Sequence, residues 1–470
     1  MGYRAYSQYQ ESGLDVFGRI PSHWETHRLN DIAELITSNV DKKSLDDQEI
    51  VRLCNYVDVY KNKEINNSLE FMIATASNAE IKKFRLQPSD VIITKDSESP
   101  HDIGVPALVT ESAEDLLCSY HLTIIRPQET ISGSFLYYSL QALTGAYQFT
   151  SAANGVTRFG LTSIGTKNVR ICIPVLVEQI KIAEFLDHKT VQIDRLIEKK
   201  QELIEKLHEQ RISIITMAVT RGVNAQALAG PCTQDWLGGV PKHWKNNYKL
   251  NFLSTDDRNS FVNGPFGSDL LTTELVDEGV PVIYSGDVKE TGFQRKSDKY
   301  VTEEKAKQLV FCRVDGGDIL LAKVGDPPGD ACVYPIGQPS GIVTQDVVRI
   351  KVDKRTIDAE YLCFLLNSEY GRHLVRLVSV EATRGRFSLA DLKSIRHILP
   401  PLEEQEEIVL HIHQQMKRCN RLSDLAIREI EALQEYRTAL ITAAVTGQID
   451  VRDWQAPEVF EQSAQDKEVA

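Results

Sequence analysis

At 470 residues the chain exceeds one ordinary core and implies two or more domains. Its 42% hydrophobic and 25% charged residues are those of a soluble globular protein; no apolar run is long enough to span a membrane and the N-terminus lacks an apolar leader, so a cytoplasmic protein with no membrane partner is expected. A net charge of −13 excludes a uniformly basic nucleic-acid binder, although the tail 447–470 and the stretch 401–446 hold −4 and −3 of it.

In chain order, the first distinctive segment is FGRIPSHW at 17–24, which returns as LGGVPKHW at 237–244. Five further segments return in the same order. VRLCNYVDVYKNK (51–63) is answered by VPVIYSGDVKETG (280–292), and PSDVIITK (88–95) by GGDILLAK (316–323). FLYYSL (135–140) is answered by YLCFLL (361–366), TRFGLTSI (157–164) by GRFSLADL (385–392), and IPVLVEQIKI (173–182) by LPPLEEQEEI (399–408). A period of well over two hundred residues is a duplicated domain, not a solenoid repeat. Within each copy, short apolar runs such as DVIIT, DILLA and HLTIIR read as strands broken by Gly, Pro, Asn and Asp. Stretches around 135–147 and 359–376 read as helices. Each copy is therefore a mixed α/β module.

After Pro174 and Pro400 the pattern turns helical for about 45 residues, the length of many helical turns. Alternating 4/3 spacing from Ile408 places apolar residues at nine of eleven positions, among them Leu422, Leu433, Tyr436 and Leu440. The matching register from Ile182 gives eight of eleven, among them Ile193, Leu196, Leu203, Leu207 and Ile214. Such sustained spacing is a coiled-coil seam. Early acids (Glu178; Glu403, Glu404) suit the positive end of each helix, and Gly222 and Gly447 suit its end. The matched register favours the two helices pairing with each other, antiparallel. The expected fold class is α+β: two mixed modules separated by two long helices that form an antiparallel coiled coil, with a pseudo-twofold internal repeat.

Catalytic constellations are missing. There is no GxxxxGK[ST] phosphate loop. DPPG (326–329) is similar to the D/N-P-P-aromatic motif of amino-methyltransferases, but Gly329 stands where the aromatic is needed, and a proline–glycine turn is the better reading. Asp90 and Asp318 lie near lysines without the second acid of a nuclease site. His411 and His413 alternate along a helix rather than sharing a face. Trp24 and Trp244 read as core anchors rather than base-stacking platforms. Eight cysteines are scattered singly with no CxxC pair, so buried free thiols are expected. No catalytic residue, metal or cofactor is expected.

The paired PSHW/PKHW starts, the endings GVTRFGLTSIGTKNVRICIPVLVEQ and RGRFSLADLKSIRHILPPLEEQ, and the duplicated helices closing on AVT together resemble the specificity subunit of type I restriction–modification systems. The resemblance implies target recognition domains at 1–174 and 223–400. It implies conserved spacer helices at 175–222 and 401–447, followed by a disordered tail at 448–470. It implies a non-catalytic DNA-binding subunit of a bacterial defence and DNA methylation complex. Its partners would be double-stranded DNA, two DNA methyltransferase (modification) subunits and the restriction/translocase subunits. A divergent methyltransferase or nuclease with its own active site is the alternative. The first module lacks a counterpart of NGPFGSDLL (263–271), and KDSESPHDIG replaces KVGDPPGDAC, so the two half-sites should differ. Candidate DNA contacts are Lys95 and Lys323, at strand ends, and Arg158, Arg384 and Arg386, in polar loops. At each of them a surface salt bridge competes with a DNA contact.

Overall fold

A computed structural model describes residues 3–457, apart from 225–228, 231–236, 238, 266, 268, 326–327 and 381–384. The chain forms two compact units, Met1–Lys200 with Arg428–Ala470, and Gln201–Ile427. These units cut across the segments expected from the sequence, since each takes one module and half of each long helix. The reason is burial: a helix half closes its apolar face on the module beside it.

In unit 1 the central sheet orders Ala33–Thr37, Leu122–Pro127, Val91–Thr94, Pro106–Val109 and Glu64–Ile65, antiparallel except for the last pair. Val91–Thr94 is buried at every residue, as expected of a strand covered on both faces. A second sheet holds Leu116–Cys118, Glu49–Cys54 and Met72–Ala76. Unit 2 repeats the central order as Phe261–Asn263, Val347–Ile350, Ile319–Ala322 and Ala331–Val333. The register repeats too: Leu122 pairs with Thr94 as Val347 pairs with Ala322.

The long helices run Leu176–Arg221 and Leu402–Val445. Gly222 and Gly447 follow them in the left-handed conformation, at φ +73° and +70°, where glycine ends a helix without strain. Within unit 1 the helix halves run antiparallel: Lys200 meets Glu429 at 2.5 Å while Arg437 meets Asp194 at 3.0 Å. Within unit 2, Ala218 and Val219 share one core with Ile408, Ile412 and Met416.

The seam is narrower than the sequence pattern. Ile193, Leu207 and Leu440 are buried, and Ile214 and Leu433 pack against the cores of their units. Leu196, Leu203, Leu422 and Tyr436 keep 39–49% of their surface exposed, a correction to the uniform seam. Toward the helix ends the buried stripe broadens beyond the 4/3 track onto the module, taking in Phe185, Ile441 and Ala444. The tail is another correction over its first ten residues. Val451 is buried, Asp450 bridges to Arg4, and Trp454 packs edge-on against Phe185 at 5.4 Å. Its remainder lies outside the described residues. Seven cysteines are free and buried, and Cys232 lies outside the described residues.

Candidate nucleic-acid interface

Two kinds of repeated element hold the loops in place. The first is a clamp at the start of each long helix. The buried Glu178 carboxylate accepts from the Trp24 indole at 3.2 Å and the Tyr6 hydroxyl at 2.7 Å, and the His23 ring lies 2.9 Å away. In unit 2, Glu404 accepts from the Trp244 indole at 2.8 Å and meets the His243 ring. The Pro-X-His-Trp motif thus anchors the module start to the helix start, and both tryptophans are core anchors, as read from the sequence. The adjacent glutamine is buried in both units. Gln179 accepts from the Ser132 N–H and donates to Thr130 and Pro174 carbonyls; Gln405 does the same with Asp358, Thr356 and Pro400. From sequence alone both acids register only as helix-dipole partners.

The second element is a turn acid before the central strand. Asp90 accepts the Gln87 N–H at 2.8 Å and two bonds from Arg126 at 2.8 Å. Asp318 accepts the Asp315 N–H at 3.0 Å. Burial pushes its carboxyl up, with Arg349 opposing. These acids tie off turns and have no nuclease geometry. Gly329 sits at φ +107° and its N–H reaches the Ala322 carbonyl at 2.9 Å, a tight turn, while Asp326 and Pro327 lie outside the described residues.

At the far end of that central strand the two units part. In unit 1, Lys95 follows Val91–Thr94, its N–H donating to the His121 carbonyl at 2.9 Å. Asp96–Ser97 pairs with Phe159–Leu161, which brings exposed Arg158 to the same edge. Around them stand residues that the sequence reading missed. The His121 ring meets Asp96 at 2.6 Å. Tyr56 stacks on Tyr60, with centroids 5.7 Å apart and planes at 13°, and the Tyr60 hydroxyl donates to Asp102 at 2.8 Å. Burial, then Asp102, push the Tyr56 phenol up, and the charge of Arg158 pulls it down. The available signal was the i, i+4 spacing of Tyr56 and Tyr60.

In unit 2 the corresponding N–H, of Lys323, donates to the Asp346 carbonyl at 2.8 Å. Val324 pairs with Arg386, whose guanidinium lies 3.6 Å from the Asp346 carboxylate. Burial, then neighbouring Arg386, hold the Lys323 amine below its ordinary range, while Asp346 opposes them. Lys323 and Arg386 therefore share one acid. Arg384 lies outside the described residues. Asn263 and Gly264 pack beside this edge, against Gln345 and Thr344. A side chain on Gly264 would fall 2.0 Å from the Val343 carbonyl oxygen, so only glycine allows that approach. The structure brings Lys95 together with Arg158, and Lys323 together with Arg386, as cationic edges with exposed guanidinium groups.

The model of the type I restriction modification DNA specificity domain matches residues 21–206 and again 269–432. The chain belongs to that family. A putative type I restriction enzyme MjaX specificity subunit of Methanocaldococcus jannaschii is 24% identical over 437 residues, 93% of this chain and 96% of that one. The EcoKI specificity subunit of Escherichia coli K12 is 22% identical, over 93% and 92%. A chain solved in work on complex assembly and conformational transition of the type I R-M system superposes with a TM-score of 0.68 at 16% identity, over 91% of this chain and 98% of its own. The HsdS subunit from Thermoanaerobacter tengcongensis gives 0.52 at 16% identity, over 92% and 98%. The chain is a specificity subunit: it recognises DNA for a type I system and does no chemistry itself. A divergent methyltransferase or nuclease is not favoured. Among the described residues no helix is long and apolar enough to cross a membrane.

Proposed function

We propose that this specificity subunit reads an asymmetric, two-part duplex target, one half through each unit. In a cytoplasmic complex it would hold two DNA methyltransferase subunits and the restriction/translocase subunits that act on that target. The observation that carries the asymmetry is that two frameworks alike in clamp, glutamine and turn acid present unlike groups at one strand end. Lys95, Arg158, Lys323 and Arg386, with Arg384, contact phosphates or base edges in this reading. The two long helices set the gap between half-sites.

The test is to sequence the methylated sites made by the chain with its methyltransferase. Two different half-sites at one fixed gap are expected; a symmetric target would overturn the asymmetry. Seven residues inserted after Leu203 and after Glu429 should lengthen the gap by about three base pairs, from roughly 1.5 Å per residue and 3.4 Å per base pair. A lengthened variant active only at the original gap would remove the helices as spacer. Mass measurement of the saturated complex should give two methyltransferases per chain, and one would overturn that count.

A further inference from the structure

Unit 2 contains a cavity of about 470 Å³, open on one side, between its helix halves, helix Ala359–Asn367 and strand Ala331–Val333. That is within the range of sites for small organic ligands. The internal repeat shows why it is there. In unit 1 the corresponding helix carries Tyr137, 1% exposed, where unit 2 has Cys363. The Tyr137 hydroxyl accepts from Gln141 at 2.9 Å and sits beside Arg437, which is ion-paired to Asp194 at 3.0 Å. Lys63 reaches in as well, to the Tyr138 hydroxyl at 2.9 Å and Asp187 at 3.2 Å.

By the repeat alignment, unit 2 has Gly292 for Lys63, Phe364 for Tyr138 and Asn420 for Asp194. It keeps Arg211 for Arg437. Unit 2 has thus lost one phenol ring and one carboxylate around a retained arginine. Among the described residues Arg211 has no hydrogen bond or ion pair, and it lines the cavity half-buried. The two acids in the lining are already matched: Glu360 by the His413 ring at 2.6 Å, Glu290 by Arg372 at 2.8 Å. The walls are apolar and soft, from Ile212, Ile215, Phe364 and Met416. Space left by a missing large side chain in an apolar setting takes up small aromatic molecules, and an unpaired guanidinium favours a carboxylate.

We propose that this cavity binds a single-ring aromatic carboxylate, the ring lying where unit 1 has Tyr137 and the carboxylate meeting Arg211. Such a ligand binds the folded form alone and so stabilises unit 2. The test uses benzoate and 4-hydroxybenzoate on the full chain, read by ligand-observed NMR and by thermal unfolding. Saturable binding at millimolar concentration and a raised unfolding temperature are expected. Arg211→Gln, on the cavity rim, should weaken binding about ten-fold, and Cys363→Tyr should fill the space and abolish it. Absence of saturable binding to the wild-type chain would overturn the proposal. So would undiminished binding by Arg211→Gln, which decides the matter even if Cys363→Tyr does not fold.

Discussion

Unit 1 and unit 2 agree where the chain holds itself together and differ where it faces outward. Trp24 and Trp244, Glu178 and Glu404, Gln179 and Gln405 make the same bonds at the same helix ends. At the strand ends, unit 1 offers two cations among Asp96, Asp102 and a stacked tyrosine pair, and unit 2 offers two cations around Asp346. Framework residues are fixed by mutual burial, so a change in one strands its partner. Loop-end pairs such as Tyr60–Asp102 and Arg386–Asp346 are solvent-exposed, so water can replace a lost partner and they can diverge. A subunit that must read new sequences without losing its assembly is served by that division.

The clamp gives the largest expected effect. Glu178→Leu leaves two buried donors, Tyr6 and Trp24, without an acceptor. The cost should be about 3–4 kcal/mol, at 1–3 kcal/mol per stranded donor. Glu404→Leu strands one buried donor, Trp244, because His243 is solvent-exposed, and should cost about 2 kcal/mol. Urea unfolding followed by hydrogen exchange, which resolves the units, measures both. Equal costs would show that the Tyr6 contact of Glu178 contributes nothing.

Acid should separate the units next. His397 is fully buried in unit 2, one ring nitrogen on the Ile398 carbonyl at 2.7 Å and the other without a partner among the described residues, and burial holds its pKa down at about 4. Unit 1 has Ile171 at that position. Above about pH 6.5 the ring is neutral in folded and unfolded chains, and its contribution is intact. As the pH falls from there to about 4, only the unfolded chain takes up the proton, so stability drops by up to about 3 kcal/mol. Exchange in the unit 2 strands should accelerate first, and His397→Ile should remove the difference. Unchanged acid sensitivity in that variant would assign it to carboxylates instead.

What was legible beforehand follows the same division. The duplication, both helix ends and the tryptophan anchors could be read because repetition fixed Trp24 against Trp244 and Gly222 against Gly447. The Glu178 clamp could not, because Tyr6, Trp24 and Glu178 are up to 172 residues apart and nothing local marks them as partners. The same holds for His121 with Asp96, which meet through strand pairing, and for Tyr60 with Asp102, which meet because helix Tyr56–Lys61 packs on the central sheet. Leu196 and Tyr436 misled for the opposite reason. Periodicity gives the seam a direction but not the point at which a module takes over the burial.

The reading edges give smaller effects, confined to one half-site. Arg386→Ala should weaken binding by about 1–3 kcal/mol and relax one position of the second half-site if it meets a base. Lys323→Ala should lower affinity without changing preference if it meets a phosphate. Affinities for duplexes altered in one half at a time check both. A loss felt equally through both halves would break the assignment of one half to each unit.

Arg158→Ala should be the smallest of the set. Arg158 stands in a setting that also holds Asp96 and Asp102, whereas among the described residues Arg386 and Lys323 share Asp346 alone. A cation whose charge is largely offset in the free protein displaces fewer counterions when it reaches a phosphate. Each fully engaged phosphate contributes about 0.9 to the slope of log affinity against log salt. Arg386→Ala should therefore lower that slope by about 0.9 if it meets a phosphate, and Arg158→Ala by about half as much. Asp102→Asn should then steepen the slope in unit 1, because it removes one of the negative charges that share the surroundings of Tyr56 with Arg158. Titrations of the assembled complex at several salt concentrations measure all three. Equal slopes for Arg158→Ala and Arg386→Ala would mean that the acids of unit 1 do not offset its cations, and the electrostatic half of the contrast between the units would fall.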